Sequence, residues 1–123
     1  MTRGNGQACR VLVVEDEFLV GEMLVHQLVK HGCEVVGPFP RLEKILPMVD
    51  ELEFDVALLD LNLAGKLSFP LAEKLAAKGV PYIFLTGYTD SFFPPKYRSA
   101  PRLNKPCNDA ELHAKIREVT RRA

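Results

Sequence analysis

The segment Phe54-Asp55-Val56-Ala57-Leu58-Leu59-Asp60-Leu61-Asn62-Leu63 restricts the fold of this chain more than any other. Val56 to Leu59 is an unbroken apolar run bounded by two acids, Asp55 and Asp60. A strand with one wet face alternates apolar and polar residues, so a continuous run reads as a strand buried on both faces. Such strands belong to parallel sheets covered by helices. They deliver their last side chain to the carboxyl edge of the sheet, where open α/β folds bind ligands. Asp60 is that last residue. A carboxylate there serves as a metal ligand, a nucleophile, or the cap of the following loop or helix.

The flanking sequence repeats the pattern. Arg10 to Val14 is a second apolar strand, and it too runs into acid, Glu15-Asp16-Glu17. The helix after it shows Val20, Leu24 and Leu28 at i, i+4 and i+8, with Met23 beside them and a stop at His31-Gly32. The first turn of that helix, where its dipole favours negative charge, accounts for one or two of the three acids but not for a matching acid at the end of another strand. Cys33 to Gly37 is a short strand closed by Pro38. Leu42, Ile45, Leu46 and Val49 mark a helix that Pro47 kinks or shortens. After the central strand a loop from Asn62 leads to a helix opening at Ser68, with Pro70 in its first turn and Gly79 at its end. Val80 to Leu85 is a fourth core strand, followed by Thr86-Gly87-Tyr88. Adjacent Pro94 and Pro95 leave room for only a loop or a short, irregular fourth helix over 89–100. There Phe92 and Phe93 either form an exposed patch or cover the sheet edge. Arg102-Leu103-Asn104 is a brief last strand before Lys105-Pro106. Asn108 and Glu111 then form a reciprocal cap for a final helix with Leu112, Ile116 and Val119 inward, and Arg117, Arg121 and Arg122 near its end.

Five β-α alternations without repeat or linker predict a doubly wound, flavodoxin-like α/β fold. Its five parallel strands run in the order 2-1-3-4-5 between two helical layers. With 123 residues the chain holds one domain, read as 9–123 behind a disordered lead of residues 1–8. Sixteen basic and sixteen acidic residues balance, which gives no electrostatic case for nucleic acid or an anionic membrane as partner. Cys9, Cys33 and Cys107 stand far apart in sequence without metal spacing, so free thiols in a reducing, cytoplasmic setting are expected. His26, His31 and His113 are read as surface residues of helices.

In this strand order the first and third strands are neighbours at the topological switch point, so Glu15, Asp16 and Asp60 must meet. Three carboxylates in one cleft repel unless they share a cation or a proton. Oxygen donors alone favour a hard ion, Mg²⁺, with Mn²⁺ next. Thr86 and Lys105 reach the same edge from the fourth and fifth strands. A hydroxyl and an ammonium facing the acids are what a phosphoryl group needs.

This set, Glu15-Asp16, Asp60, Thr86 and Lys105-Pro106 at successive strand ends, resembles the receiver domain of two-component response regulators. The resemblance implies that Asp60 takes a phosphoryl group from a phosphohistidine on a sensor histidine kinase or a phosphotransfer protein. It also implies that Asp16, Asp60 and the backbone carbonyl of Asn62 hold Mg²⁺ directly, with Glu15 acting through a metal-bound water. Lys105 then contacts a phosphoryl oxygen, Thr86 turns toward the phosphorylated acid, and Gly87 keeps the approach open. Asn62 and Tyr88 hold positions that tune acyl-phosphate hydrolysis. Activity is limited to Mg²⁺-dependent self-phosphorylation and autodephosphorylation, without an enzyme's turnover of other substrates.

Two departures matter. Arg102 stands where many receivers carry an aromatic switch residue, and Cys107 follows Lys-Pro where an aromatic is usual. Phe84-Leu85-Thr86-Gly87-Tyr88 is similar to the "Phe-Ala-Thr-Gly-Tyr" signature of a stand-alone alphaproteobacterial subgroup, with Leu85 in place of alanine. With the sequence ending at the fifth helix, a stand-alone receiver is expected. It acts by phosphorylation-dependent contact with a downstream protein, or as a phosphate relay or sink, as a monomer or a phosphorylation-dependent homodimer. The alternative is a Mg²⁺-dependent aspartyl-phosphate phosphatase of the haloacid dehalogenase type. That chemistry needs a second acid two residues after the nucleophile, where Asn62 stands. A flavodoxin-like cofactor binder would need a glycine-rich phosphate cradle, where Glu15-Asp16-Glu17 would repel phosphate.

Overall fold

In a computed structural model that describes residues 6–87 and 93–121, strands β1 (Arg10–Val14), β2 (Glu34–Phe39), β3 (Val56–Asp60), β6 (Tyr82–Thr86) and β7 (Arg102–Asn104) form one sheet. Every pairing is parallel and the order is β2-β1-β3-β6-β7. The flavodoxin-like order expected from the alternation is therefore present. The two-residue strands β4 (Asn62–Leu63) and β5 (Lys66–Leu67) form a separate antiparallel hairpin where a loop was expected. Ala64 and Gly65, both at positive φ, make its turn.

Alternate residues of each strand point to opposite faces, and this splits the core in two. Val11, Val13, Leu58, Ile83 and Leu85 pack under α1 (Phe18–Lys30) and α4 (Asp109–Arg121), against Leu24, Leu28, Leu112 and Ile116. Leu12, Val14, Leu59 and Phe84 pack on the other face against α2 (Leu42–Ile45) and α3 (Phe69–Ala77). All five residues of β3 are buried, as its unbroken apolar run requires. The cap of α4 is reciprocal: Glu111 N–H donates to Asn108 Oδ1 (2.8 Å) and Asn108 N–H to Glu111 Oε1 (3.3 Å).

Several local expectations shift. The acids 15–17 do not enter the first turn of α1; Glu17 is its N-cap residue and makes no side-chain capping bond. Met23 is 38% exposed, and the buried face of α1 uses Gly21 and Gln27 with Leu24 and Leu28. Around Pro47 the second helix is cut to one α turn and a 3₁₀ turn at Val49–Glu51. β2 continues past Gly37-Pro38 to Phe39 through an irregular register with β1. Gly37 permits this, since it lies at φ +105° and a Cβ there would sit 2.8 Å from the Val13 carbonyl oxygen. The extension places the Phe39 carbonyl to accept the Glu15 N–H (3.0 Å), which anchors the end of β1.

Between β6 and β7 the described residues hold only a 3₁₀ turn, Pro95–Tyr97. Phe93 is buried against Phe84, with ring centroids 5.6 Å apart. Of the two roles weighed for it, it covers the sheet; Phe92 and Tyr88 lie outside the described residues, as do residues 1–5 and Arg122. His113 is buried, against expectation, with its ring centroid 3.6 Å from that of His31 across the α1–α4 contact. No described helix is long and apolar enough to cross a membrane.

Candidate functional site

At the carboxyl edge, β3 ends in Asp60 and β6 in Thr86, while Glu15 follows β1 and Lys105 follows β7. The β1–β3 register, running to Val14 beside Leu59, carries Glu15 next to Asp60. Glu15, Asp16, Glu17 and Asp60 each offer a carboxylate oxygen within 4.8 Å of the others. Three of these acids were expected to meet. Glu17 is added, and its signal was present as the third member of the acidic run.

Lys105 lies among them. Its Nζ is 3.2 Å from Asp60 Oδ2, 3.5 Å from Glu15 Oε1 and 3.1 Å from Glu17 Oε1. Backbone donors hold the acids in place: Asn62 N–H donates to Asp60 Oδ1 (3.2 Å), Ala64 N–H to Asp16 Oδ2 (3.1 Å) and Glu17 N–H to Glu15 Oε1 (3.1 Å). The β4–β5 hairpin thus ties the phosphoacceptor candidate to the acidic pair. Asn62 turns its own side chain into that hairpin, where Oδ1 accepts the Gly65 N–H (2.8 Å). The position that a dehalogenase-type acid/base would need therefore carries a neutral amide already committed to a turn.

Crowding sets the protonation. Burial pushes the Asp60 carboxyl up to about 8, with Asp16 and Glu15 adding to the rise and Lys105 opposing it. Burial likewise raises Glu15, against hydrogen bonds from Glu17 N–H and Asp60. For Asp16 burial is outweighed by hydrogen bonds from Asp60 and from backbone N–H groups, and its carboxyl ionises more readily than usual. Lys105 loses some stability of its charge to burial, but Glu17 and Asp60 more than restore it. Among the described residues Glu15 Oε2 is buried with no hydrogen-bond partner, and Asp60 Oδ2 has the Lys105 ammonium beside it but no hydrogen bond. An all-oxygen set with an excess of negative charge and a buried orphan oxygen fits a hard divalent cation.

Thr86 is buried, and its hydroxyl is engaged with β7, where it donates to the Leu103 carbonyl (3.4 Å) and Asn104 Oδ1 (3.3 Å). Arg102 is also tied to this side. Its guanidinium stacks 3.6 Å from the Phe93 ring centroid and donates to the carbonyls of Tyr97, Arg98 and Ala100. It thereby fastens the 93–100 segment to β7.

The sequence profile of the response regulator receiver domain matches residues 11–117. The chain belongs to that family. It is 31% identical over 131 residues to the transcriptional regulatory protein TcrA of Mycobacterium tuberculosis, covering 98% of this chain and 51% of TcrA. It thus spans about half the length of the curated relatives it matches. Among solved structures, SdrG from Sphingomonas melonis Fr1 superposes with a TM-score of 0.82 at 33% identity, covering 91% of this chain and 96% of SdrG. The receiver domain of a modulated diguanylate cyclase from Desulfovibrio desulfuricans G20 gives 0.84 at 31% identity, over 94% of this chain and 96% of that one. Receiver domains bind Mg²⁺ at an acidic pocket and interact with histidine kinases or phosphotransfer proteins.

Two contacts escaped sequence reasoning. Cys9 and Cys33, 24 positions apart, share a hydrogen bond that raises the Cys9 thiol and brings Cys33 down to about 7. His31 and His113 meet between helices from opposite ends of the chain. Neither pairing has a spacing signal, because strand register and helix packing create both.

Proposed function

We propose that this chain is a phosphoryl-accepting receiver in which Asp60 is the acceptor. The observation that carries the reading is a buried carboxylate at the end of the central strand, with one ammonium 3.2 Å away and the carboxylates of Glu15, Asp16 and Glu17 beside it. A carboxylate is a weak nucleophile, so the work of the site is positioning and charge neutralisation. An Asp60 oxygen attacks phosphorus, the P–N bond of the donor phosphohistidine breaks, and its electron pair stays on the imidazole nitrogen. Lys105 Nζ is placed to take one phosphoryl oxygen. Asp16, Asp60 and the Asn62 carbonyl, with Glu15 acting through a water, would hold Mg²⁺, which would supply the positive charge that keeps Asp60 ionised and screens the phosphoryl oxygens.

Aspartyl phosphate carries about two negative charges in place of one. Thr86 then leaves the Leu103 carbonyl and Asn104 for a phosphoryl oxygen, and the segment fastened by Arg102 repacks as the output face. Asn62 and Tyr88 set how long the acyl phosphate survives. Phosphate arrives from a sensor histidine kinase or a phosphotransfer protein in the cytoplasm. It is passed on as a protein contact or drained as a relay or sink, in the manner of the Phe-Ala-Thr-Gly-Tyr subgroup. Residues 9–123 form the receiver, behind a short lead.

Incubation with acetyl phosphate and Mg²⁺ tests this. One base-labile phosphoryl group per chain is expected by mass spectrometry, lost in Asp60→Asn and on chelation. Labelling that persists in Asp60→Asn, or steady turnover of small phosphoesters, refutes it.

A further inference from the structure

The third acid of the run, Glu17, has no structural task that accounts for it. It is the N-cap residue of α1 yet makes no side-chain capping bond. Its side chain is 61% exposed, whereas those of Glu15 and Asp60 are almost fully buried. Among the described residues its side chain pairs with Lys105, and at 3.1 Å it is the nearest of the three carboxylates to that ammonium. An ammonium has three donors, and here they face Asp60, Glu15 and Glu17. A phosphoryl group built on the Asp60 carboxylate brings its own oxygens to the same ammonium. The two buried acids are locked by strand ends and backbone N–H groups. Glu17, on the solvent side, is the partner that can yield.

We propose that Glu17 is a positioning residue that competes with the phosphoryl group for Lys105, and so sets how readily the site loads. The inference rests on the receiver reading above. Before phosphorylation Glu17 holds the ammonium on the outer side of the cleft, and its negative charge repels an incoming phosphoryl anion. On phosphorylation the Lys105–Glu17 contact opens, and the ammonium turns to the new oxygens. No bond is made to Glu17, and no proton moves.

The test uses the full chain with saturating Mg²⁺ and beryllofluoride, the probe that occupies the phosphoryl position without turnover. Binding is followed by fluorine NMR, and acetyl phosphate loading by mass spectrometry. Glu17→Gln is expected to bind beryllofluoride about threefold to fivefold more tightly and to load faster by a similar factor, the range for an exposed ion pair. Glu17→Asp, which keeps the charge, should stay close to wild type. The gap between wild type and Glu17→Gln should narrow as ionic strength rises from about 0.05 to about 0.5 M, because the effect is Coulombic at an exposed group. A purely structural role would show no such salt dependence.

Magnesium affinity, titrated without beryllofluoride, should change by less than about threefold in Glu17→Gln. A loss of about tenfold or more overturns the proposal, since Glu17 would then be a cation ligand. Equal or weaker beryllofluoride binding by Glu17→Gln, while wild type binds normally, overturns it and leaves the receiver reading intact. If wild type takes up neither beryllofluoride nor acetyl phosphate label, the receiver reading itself fails.

Discussion

Replacing Asp60 by asparagine should stabilise the metal-free protein, by an amount that grows with pH. The ordinary Asp carboxyl ionises at 3.8, and burial, with Asp16 and Glu15 alongside, pushes Asp60 up to about 8. Between those values the folded state holds a proton that the unfolded chain has released, so stability falls as pH rises through that window. Each unit corresponds to about 1.4 kcal/mol, which sets a ceiling of about 4 kcal/mol at pH 7. Water entry and relaxation around a carboxyl in an open cleft, and the Lys105 attraction that asparagine forgoes, reduce this to about 2 kcal/mol. The side-chain oxygen of asparagine can still accept the Asn62 N–H that Asp60 Oδ1 accepts at 3.2 Å. The assay is urea unfolding in chelator from pH 5 to pH 8.5, read as the difference between the two proteins. His113 and the cysteines titrate in both and cancel. A stability gain for Asp60→Asn that rises with pH and levels off above about 8 is expected. A difference that is flat or shrinks toward alkaline pH refutes the argument that crowded carboxyls dominate this edge.

Gly37→Ala should cost about 1–3 kcal/mol in urea unfolding, because a Cβ there would meet the Val13 carbonyl at 2.8 Å and alanine resists positive φ. Arg102→Ala loses three carbonyl contacts and a ring stack, and about 1–3 kcal/mol is expected. Hydrogen exchange should rise over 95–100, acetyl phosphate labelling should persist, and Arg102→Lys should not rescue the loss. Mg²⁺ at about a hundred times its dissociation constant should stabilise wild type by about 2.7 kcal/mol, read as a thermal shift that vanishes in Asp16→Asn. Tyr88→Ala should abolish binding of a downstream partner in pull-downs while leaving labelling intact, which tests whether Tyr88 assumes the part of the missing aromatic switch.

The sheet was legible in the chain because burial on both faces leaves a one-dimensional trace. Val56 to Leu59 and Val11 to Val14 are unbroken apolar runs, and each must lie between helices. The acids that terminate them were legible for the same reason, since a strand of known direction names its own last residue. Glu15, Asp16, Asp60 and Lys105 thus follow from order and polarity alone, and the structure gathers them at one edge. The reciprocal cap of Asn108 and Glu111 was equally local.

What needed the tertiary structure lies between elements. Nothing in the spacing of Glu17 says that it takes up the Lys105 ammonium. That depends on where the turn after β1 faces the loop after β7. Gly37 looked like a strand terminator and instead carries β2 past a bulge to Phe39, because glycine alone tolerates that backbone beside Val13. Arg102 read as an anomaly until its guanidinium was seen to stack on Phe93 and gather three carbonyls. Periodicity records which face of an element is buried, and chain order records which strands adjoin. The meeting of side chains from different elements depends on register and on angstrom-scale placement, which no one-dimensional pattern encodes.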